Sequence, residues 1–236
     1  KMNKYKNVFL LFLFTSVGYL FSQTGPGGVG DTSTNLIWVR TDRGLTSNGT
    51  TVSSWNDLSG NGNNPGGVNP AYTNSVPAIN NFPAVNFTSS GPYQNLFNVP
   101  GSNFTVVSVF AGMNQALIPM WGTINTHGGY WPNYQNRTHV APNCTWQNFG
   151  TLHPNNQWEI STVRHLPNST EVRTDGVTRY SRNQGYCSSW LNTFSFGGSS
   201  TYGGYRGDVA EMFYYSGQLN DAQMFIIENY LSSKYN

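Results

Sequence analysis

The sequence predicts an all-β protein, a two-sheet antiparallel jelly-roll sandwich with a short C-terminal helix. Three observations predict it: short apolar segments separated by turn-forming residues, an alternating strand pattern over 207–215, and a helix signature directly after it. Asn220 is placed to cap that helix, and Gln223, three residues later, can reach back to the cap residue. The apolar positions Ile227 and Leu231 continue the helix towards its end at 232–234.

The strand candidates are short and are separated by Gly, Asn, Ser and Pro, which favour turns. The candidates are, in chain order, 35–40, 52–57, 83–87, 104–110, 158–164, 171–173, 177–180, 193–196 and 209–215. Alternate side chains of the last strand are expected to face a core. The run 58–64 has the composition of a turn.

The N-terminal segment has the pattern of a secretory leader. Three lysines precede an apolar run over 8–21, which is too short to span a bilayer and suits a signal-peptide core. We therefore expect a signal peptide over 1–22, a flexible Gly-rich lead-in over 23–34 and one domain over 35–236. An uncleaved N-terminal anchor is the alternative. The predicted location is secreted or cell surface, not membrane-spanning after leader removal.

Charged residues make up only 9% of the chain, against about 25% in typical domains. Beyond residue 22 there are nine cationic and ten acidic residues, and they form no basic run. Nucleic-acid binding therefore has no electrostatic support. The polar, uncharged and aromatic-rich composition is compatible with sugar binding.

Cys144 and Cys187 are the only cysteines. An even pair in an exported chain is most simply a disulfide, and two buried free thiols are the alternative.

Several segments carry a resemblance to a known family. They are NLIWVRTDRGL, VSSWNDLSGNGNN, PAINNFPAVNF, FTVVSVF, NQWEISTVRH, TDGV and GDVAEMFYYSGQLNDAQMFIIENYLSSKY. In this order they resemble the laminin-G-like, concanavalin-A-like modules of secreted Bacteroidetes-type proteins over about residues 35–235, while 112–157 matches poorly. The resemblance implies a two-sheet jelly roll, often part of a larger cell-surface or secreted protein and commonly acting in carbohydrate binding or adhesion.

The turn after the second strand candidate concentrates oxygen ligands. Asp57, Asn61 and Asn63, with backbone carbonyls, could hold a calcium ion, which takes six to eight oxygens. Only one carboxylate is present, so the competing interpretation is a turn in which Asp and Asn cap backbone groups. The expected cofactor is therefore none, or Ca²⁺ at this loop. Trp55, beside it, is expected in the core.

The best candidates for sugar contact lie in the segment 128–137, which lacks strand alternation and is predicted as a loop. Flat aromatic rings suit the apolar face of a sugar, and Asn, Gln or Arg suit its hydroxyl rim. Tyr130, Trp131, Tyr134 and Arg137 are the predicted carbohydrate-binding residues. Covering the end of the core, or packing on a Cys144 disulfide, is the alternative role of these rings.

No catalytic residue is predicted, although an enzyme remains an alternative. A retaining glycosidase needs two carboxylates about 5–5.5 Å apart, and no acidic pair occurs at i, i+2. Asp208 and Glu211 are three apart and are expected on opposite faces of their strand. A lyase could use Arg137 with His139, but the pairing is no more than chance would give.

The function predicted is an exported, non-catalytic module that binds a glycan or a cell-surface partner. A structural, self-associating extracellular subunit is the alternative from another class, and a polysaccharide lyase or glycoside hydrolase on the same fold is a third.

Overall fold

A computed structural model describes the two sheets, the C-terminal helix and much of what joins them. The residues described are 25–66, 69–88, 93–98, 100–101, 103–112, 121–123, 129–134, 137–140, 147–148, 154–166, 168–183, 193–199 and 203–236. In the strands between 121 and 148 it is the backbone that is described. The predicted leader 1–22, Cys144 and Cys187 lie outside these residues. In the described part, no helix is both long and apolar enough to cross a membrane.

The larger sheet has eight strands. They are β1 (Asn35–Arg40), β4 (Ala71–Thr73), β5 (Ala84–Thr88), β7 (Phe104–Gly112), β12 (Trp158–His165), β13 (Thr170–Thr174), β14 (Val177–Arg182) and β18 (Arg206–Tyr215). Their order is β14-β13-β12-β7-β18-β5-β4, and all their pairings are antiparallel. β1 joins the sheet beside β5, because β18 pairs with β5 through 206–209 and with β1 through 211–215.

The smaller sheet has six strands in the order β11-β10-β9-β8-β15-β6. They are β6 (Tyr93–Asn98), β8 (Trp121–Thr123), β9 (Gly129–Tyr134), β10 (Arg137–Val140), β11 (Gln147–Asn148) and β15 (Thr193–Phe196). Two short antiparallel pairs complete the described strands: β2 (Leu45–Ser47) with β3 (Val52–Trp55), and β16 (Gly198–Ser199) with β17 (Gly203–Gly204).

The main core lies between the two sheets and is rich in aromatic rings. Phe196 of β15 meets Phe87 of β5 with ring centroids 5.4 Å apart, and Phe194 meets Tyr214 of β18 at 4.9 Å. Trp55 is 1% exposed and packs in the same cluster. The prediction that this tryptophan fills the core is confirmed, and the all-β antiparallel sandwich with a C-terminal helix is confirmed with it.

A second apolar layer lies on the other face of the larger sheet, beneath the helix α1 (Asp221–Tyr235). Ile227 and Leu231 of α1 pack there with Phe213 of β18 and Val109 of β7. β18 was expected to bury alternate side chains, but its side chains from Val209 to Tyr215 are all buried. The reason is that α1 covers the face that an uncovered sandwich would expose to water.

The start of α1 follows the sequence prediction. Asn220 accepts a hydrogen bond from the backbone N–H of Gln223 at 2.9 Å, and the Gln223 side chain accepts one from the backbone N–H of Asn220 at 2.9 Å. This reciprocal pair is a capping box, which satisfies donors that the first helical turn leaves open. Phe225, by contrast, is 68% exposed on this helix.

Residues 25–34, the described part of the segment 23–34 that was predicted as a flexible lead-in, pack against the domain. Val29 is buried in the outer apolar layer, and the Tyr215 hydroxyl donates to its carbonyl oxygen at 3.3 Å. Gly27 and Gly30 adopt positive φ, which lets the chain turn closely past Ile226 and Tyr215. The glycines of this segment therefore allow close packing. A Gly-rich composition alone does not tell such a packed segment from a flexible one.

Candidate functional site

The predicted calcium loop is held by hydrogen bonds within the protein. Asp57 Oδ1 accepts from the backbone N–H groups of Trp38 and Ser59, at 2.9 and 2.8 Å. Its Oδ2 accepts from the Ser59 hydroxyl at 2.7 Å and from the backbone N–H of Asn63 at 3.0 Å. Each carboxylate oxygen therefore already has two donors.

The two asparagines of the loop present donors to β1. Asn61 Nδ2 donates to the carbonyl oxygens of Thr32 and Asn35, at 3.0 and 2.8 Å, and Asn63 Nδ2 donates to that of Leu36 at 2.7 Å. These contacts match the competing interpretation of a turn that caps backbone groups. The calcium site stays a prediction, and this arrangement does not favour it because amide N–H groups cannot bind a cation.

The backbone register of the smaller sheet assigns its residues to faces. Phe194 and Phe196 of β15 are buried in the main core, so they define the inner face. Phe196 is paired with Trp121 of β8, and Trp121 is paired with Tyr130 of β9. Residues directly opposite each other in a ladder share a face. Tyr130 therefore belongs to the inner face and its neighbour Trp131 to the outer face.

A β-bulge then brings three of the predicted residues onto one face. Trp131 is paired with His139 and Tyr134 with Arg137, so β9 carries one more residue than β10 between the two pairs. Arg137 and His139 are two residues apart on β10 and share a face. Through the bulge, Tyr134 shares that face with Trp131. The outer face therefore holds Trp131, Tyr134, Arg137 and His139.

The prediction of a loop over 128–137 is wrong, because β9 covers Gly129–Tyr134 and β10 begins at Arg137. Pro132, which lacks a backbone N–H, and the extra residue of the bulge hide the expected alternation. Proline in a sheet is characteristic of bulges, and that signal in the sequence could have indicated a bulged strand. It could also have added His139 to the site residues.

The smaller sheet differs from the rest of the chain in charge. Its described strands include no Asp or Glu, and Arg137 is their only Lys or Arg. The sequence carries no acidic residue over 58–158 or 176–207. The outer face around Trp131 is therefore built on a sheet with one permanent cation and no acid.

A pocket of about 250 Å³ opens between α1 and the strands β12 and β13. Arg173 lines it, but its guanidinium donates to both Glu228 oxygens at 2.9 and 3.0 Å, to the Thr178 hydroxyl at 2.9 Å and to the Gly176 carbonyl at 2.6 Å. The hydrogen bond to Glu228 raises the pKa of Arg173. The Glu228 carboxylate already neutralises the charge of Arg173. The pocket is therefore a weaker candidate for ligand binding.

Asp208 and Glu211 share a face of β18, contrary to the expectation from their spacing. They pair with Ala111 and Val109 of β7, which are two residues apart, because a bulge adds one residue to β18 between Val209 and Glu211. Glu211 is nevertheless fully buried. Burial also raises the pKa of Asp208, although the hydrogen bond from Asn86 opposes this shift.

Glu211 is the centre of a buried polar cluster beneath the end of α1. Its Oε2 accepts from Lys234 Nζ at 2.8 Å and from the Tyr235 hydroxyl at 2.7 Å, and its Oε1 accepts from Trp38 Nε1 at 2.8 Å. Burial, reinforced by this carboxylate, raises the pKa of Tyr235 strongly and that of Tyr230 to about 12. The cluster ties the helix to the sheet, and it gives a substrate no access to Glu211.

Groups of three or more His, Cys, Asp or Glu placed to hold a metal ion are not found in the described part of the chain. No protein-family model matches the sequence, and no curated protein matches it.

Solved structures with a similar fold are found at low sequence identity. Domain 4 of AbnA, a GH43 extracellular arabinanase from Geobacillus stearothermophilus solved in complex with arabinotriose, is 15% identical, with a TM-score of 0.57 over 82% of this chain and 97% of that one. The binding domain of botulinum neurotoxin serotype D is 13% identical, with a TM-score of 0.52 over 84% and 52%.

Trypanosoma rangeli sialidase is 14% identical, with a TM-score of 0.51 over 89% of this chain and 35% of that one. The chain thus spans about half of the toxin domain and about a third of the sialidase. At these identities the comparisons establish the β-sandwich fold and nothing finer.

Proposed function

We propose that this protein is an exported, non-catalytic module that binds carbohydrate through the outer face of its smaller sheet. The observation that carries the proposal is the register that brings Trp131, Tyr134 and Arg137 onto one face. Two aromatic residues beside a planar hydrogen-bond donor are suited to the apolar face and the hydroxyl rim of a sugar. A sheet face is also a more rigid frame for them than a loop.

The proposal assigns the protein to the laminin-G-like, concanavalin-A-like type that its segments resemble, secreted or held at the cell surface. The arabinanase domain bound to arabinotriose supports a sugar-binding use of this fold, although a fold alone does not fix a function. The similar fold of the Trypanosoma rangeli sialidase leaves an enzyme as a competing class of function. An enzyme is less favoured, because Asp208 and Glu211 are two carboxylates on one face but Glu211 is fully buried.

The test is a glycan-array screen followed by titration calorimetry with the best ligand, with arabinotriose included as a defined probe. We expect the Trp131→Ala/Tyr134→Ala double variant to bind at least about tenfold more weakly, since stacking on each ring is worth on the order of 1 kcal/mol. Phe225→Ala is the matched control, because it removes an exposed ring from α1 instead. Unchanged affinity in a folded double variant would reject this face as the site.

Self-association is the second candidate function, and the absence of acidic residues in the smaller sheet favours it. Surfaces without like charges can approach each other without repulsion. Light scattering of the protein over a range of concentrations separates the two candidates. A monomer at high concentration that still binds sugar supports the binding module, whereas a dimer that the Trp131→Ala/Tyr134→Ala variant abolishes supports self-association.

A further inference from the structure

Acidic residues are strictly segregated in this fold. All ten that follow residue 22 lie outside the smaller sheet and outside the sequence segments 58–158 and 176–207 that contain its strands. Three cations of the larger sheet and helix, in contrast, have carboxylate partners. Lys234 pairs with Glu211, Arg173 with Glu228 and Arg164 with Glu171.

Arg137 has a different setting. It is paired across the bulge with Tyr134, and it shares the outer face with Trp131 and His139. Asn148 of β11 is paired with His139 and thereby belongs to the same face. The strands that form this face hold donors and aromatic residues but no carboxylate that would neutralise the arginine within the sheet.

We infer that the outer face of the smaller sheet prefers carboxylated sugars, such as uronic or sialic acids, over neutral ones. The inference rests on the proposed function and adds the class of ligand. A guanidinium presents paired N–H donors that match the two oxygens of a carboxylate, and such a charge-assisted pair is stronger than a neutral hydrogen bond. Trp131 and Tyr134 supply the contact that acidic and neutral sugars share.

The expected preference is modest, because it depends on a single charge-assisted pair. We expect a carboxylated oligosaccharide to bind about tenfold more tightly than its neutral counterpart at low ionic strength. The preference should shrink at physiological salt, where charges near the surface are screened.

The experiment compares ligands that differ only in whether the carboxylate is free or esterified. Trigalacturonate is titrated against its fully methyl-esterified form, and 3′-sialyllactose is titrated against its methyl ester, so each pair keeps the same sugars and linkages. The first pair tests uronic acids and the second tests sialic acids, so the two arms separate the possible sources of the carboxylate. We expect a preference for the acidic member in at least one pair.

Arg137→Gln should abolish that preference by weakening binding of the acidic member more than that of the neutral member, and Arg137→Lys should retain part of it. Arg179→Gln, which changes an exposed arginine on β14 of the other sheet, is the control and should change neither. Circular dichroism confirms that each variant is folded.

Equal binding of the acidic and neutral members overturns the inference and leaves the proposed function standing. A preference that survives in Arg137→Gln also overturns it. Absence of binding by every member of both pairs and across the array overturns the inference together with the proposed function.

Discussion

The two sheets of this sandwich differ in what their polar residues do. Between the larger sheet and the helix that covers it, two ion pairs are partly or wholly buried: Lys234 with Glu211 and Arg173 with Glu228. The described strands of the smaller sheet contain no acid and a single permanent cation. This difference indicates that ion pairs hold the helix against the larger sheet. The smaller sheet keeps its polar and aromatic residues for another use, which we propose to be recognition.

Breaking the buried ion pair should have the largest effect on stability. Lys234→Met leaves the fully buried Glu211 carboxylate without its cation, and such a loss typically costs about 3–5 kcal/mol. We expect urea unfolding to show a decrease of about 3 kcal/mol. Arg179→Met, at an exposed position, should change the unfolding free energy by less than about 0.5 kcal/mol. A similar decrease in unfolding free energy in both variants would show that the Lys234–Glu211 pair does not stabilise the fold specifically.

The stability of the protein should depend on pH through the protonation of His165, which is fully buried at the end of β12. Burial lowers its pKa from 6.5 to about 3. Between these values the unfolded chain binds a proton that the folded protein does not, so stability is complete above pH 6.5 and is lost as the pH falls. The expected slope is about 1.4 kcal/mol per pH unit. His165→Gln should remove this slope between pH 4 and 6, measured by urea unfolding. An unchanged slope would assign the pH dependence to other groups.

The Asp57 loop should behave as a structural turn. Asp57→Asn replaces an acceptor of two hydrogen bonds by an NH₂ group that faces two donors, which we expect to cost about 1–3 kcal/mol. Asp31→Asn, in a similar but exposed turn, is the matched control and should cost less.

Thermal unfolding in calcium and in EDTA tests the alternative use of the same loop. We expect the same Tm in both, because the Asp57 oxygens are already engaged. A Tm raised by calcium in the wild type, and not in Asp57→Asn, would establish the predicted metal site instead.

The helix cap should give the smallest stability effect. Asn220→Ala removes one half of the capping box, and loss of such a cap typically costs about 1 kcal/mol. Asn229→Ala, at an exposed position inside α1, is the control and should be neutral or slightly stabilising, since alanine favours helices. A loss in Asn229→Ala as large as that in Asn220→Ala would show that the cap is not what stabilises this end.

The sequence predicted the fold better than the site because the fold depends on local patterns. The capping box of Asn220 and Gln223 and the apolar run of β7 are local, and both were found as predicted. The faces of Trp131 and Glu211 depend instead on two bulges, in β9 and β18. A bulge is defined by the register with the partner strand, which the bulged segment alone does not encode. Each bulge moved residues that simple alternation had separated onto one face.

The most direct test of this division of roles is sugar affinity in two single variants that each remove one ring. Trp131→Ala removes a ring from the outer face of the smaller sheet, and Phe225→Ala removes an exposed ring from the helix on the other side of the larger sheet. Calorimetry with the best array ligand should show weaker binding, by about fivefold, in Trp131→Ala and wild-type binding in Phe225→Ala. Equal affinities in both variants, or a loss in Phe225→Ala alone, would contradict the account.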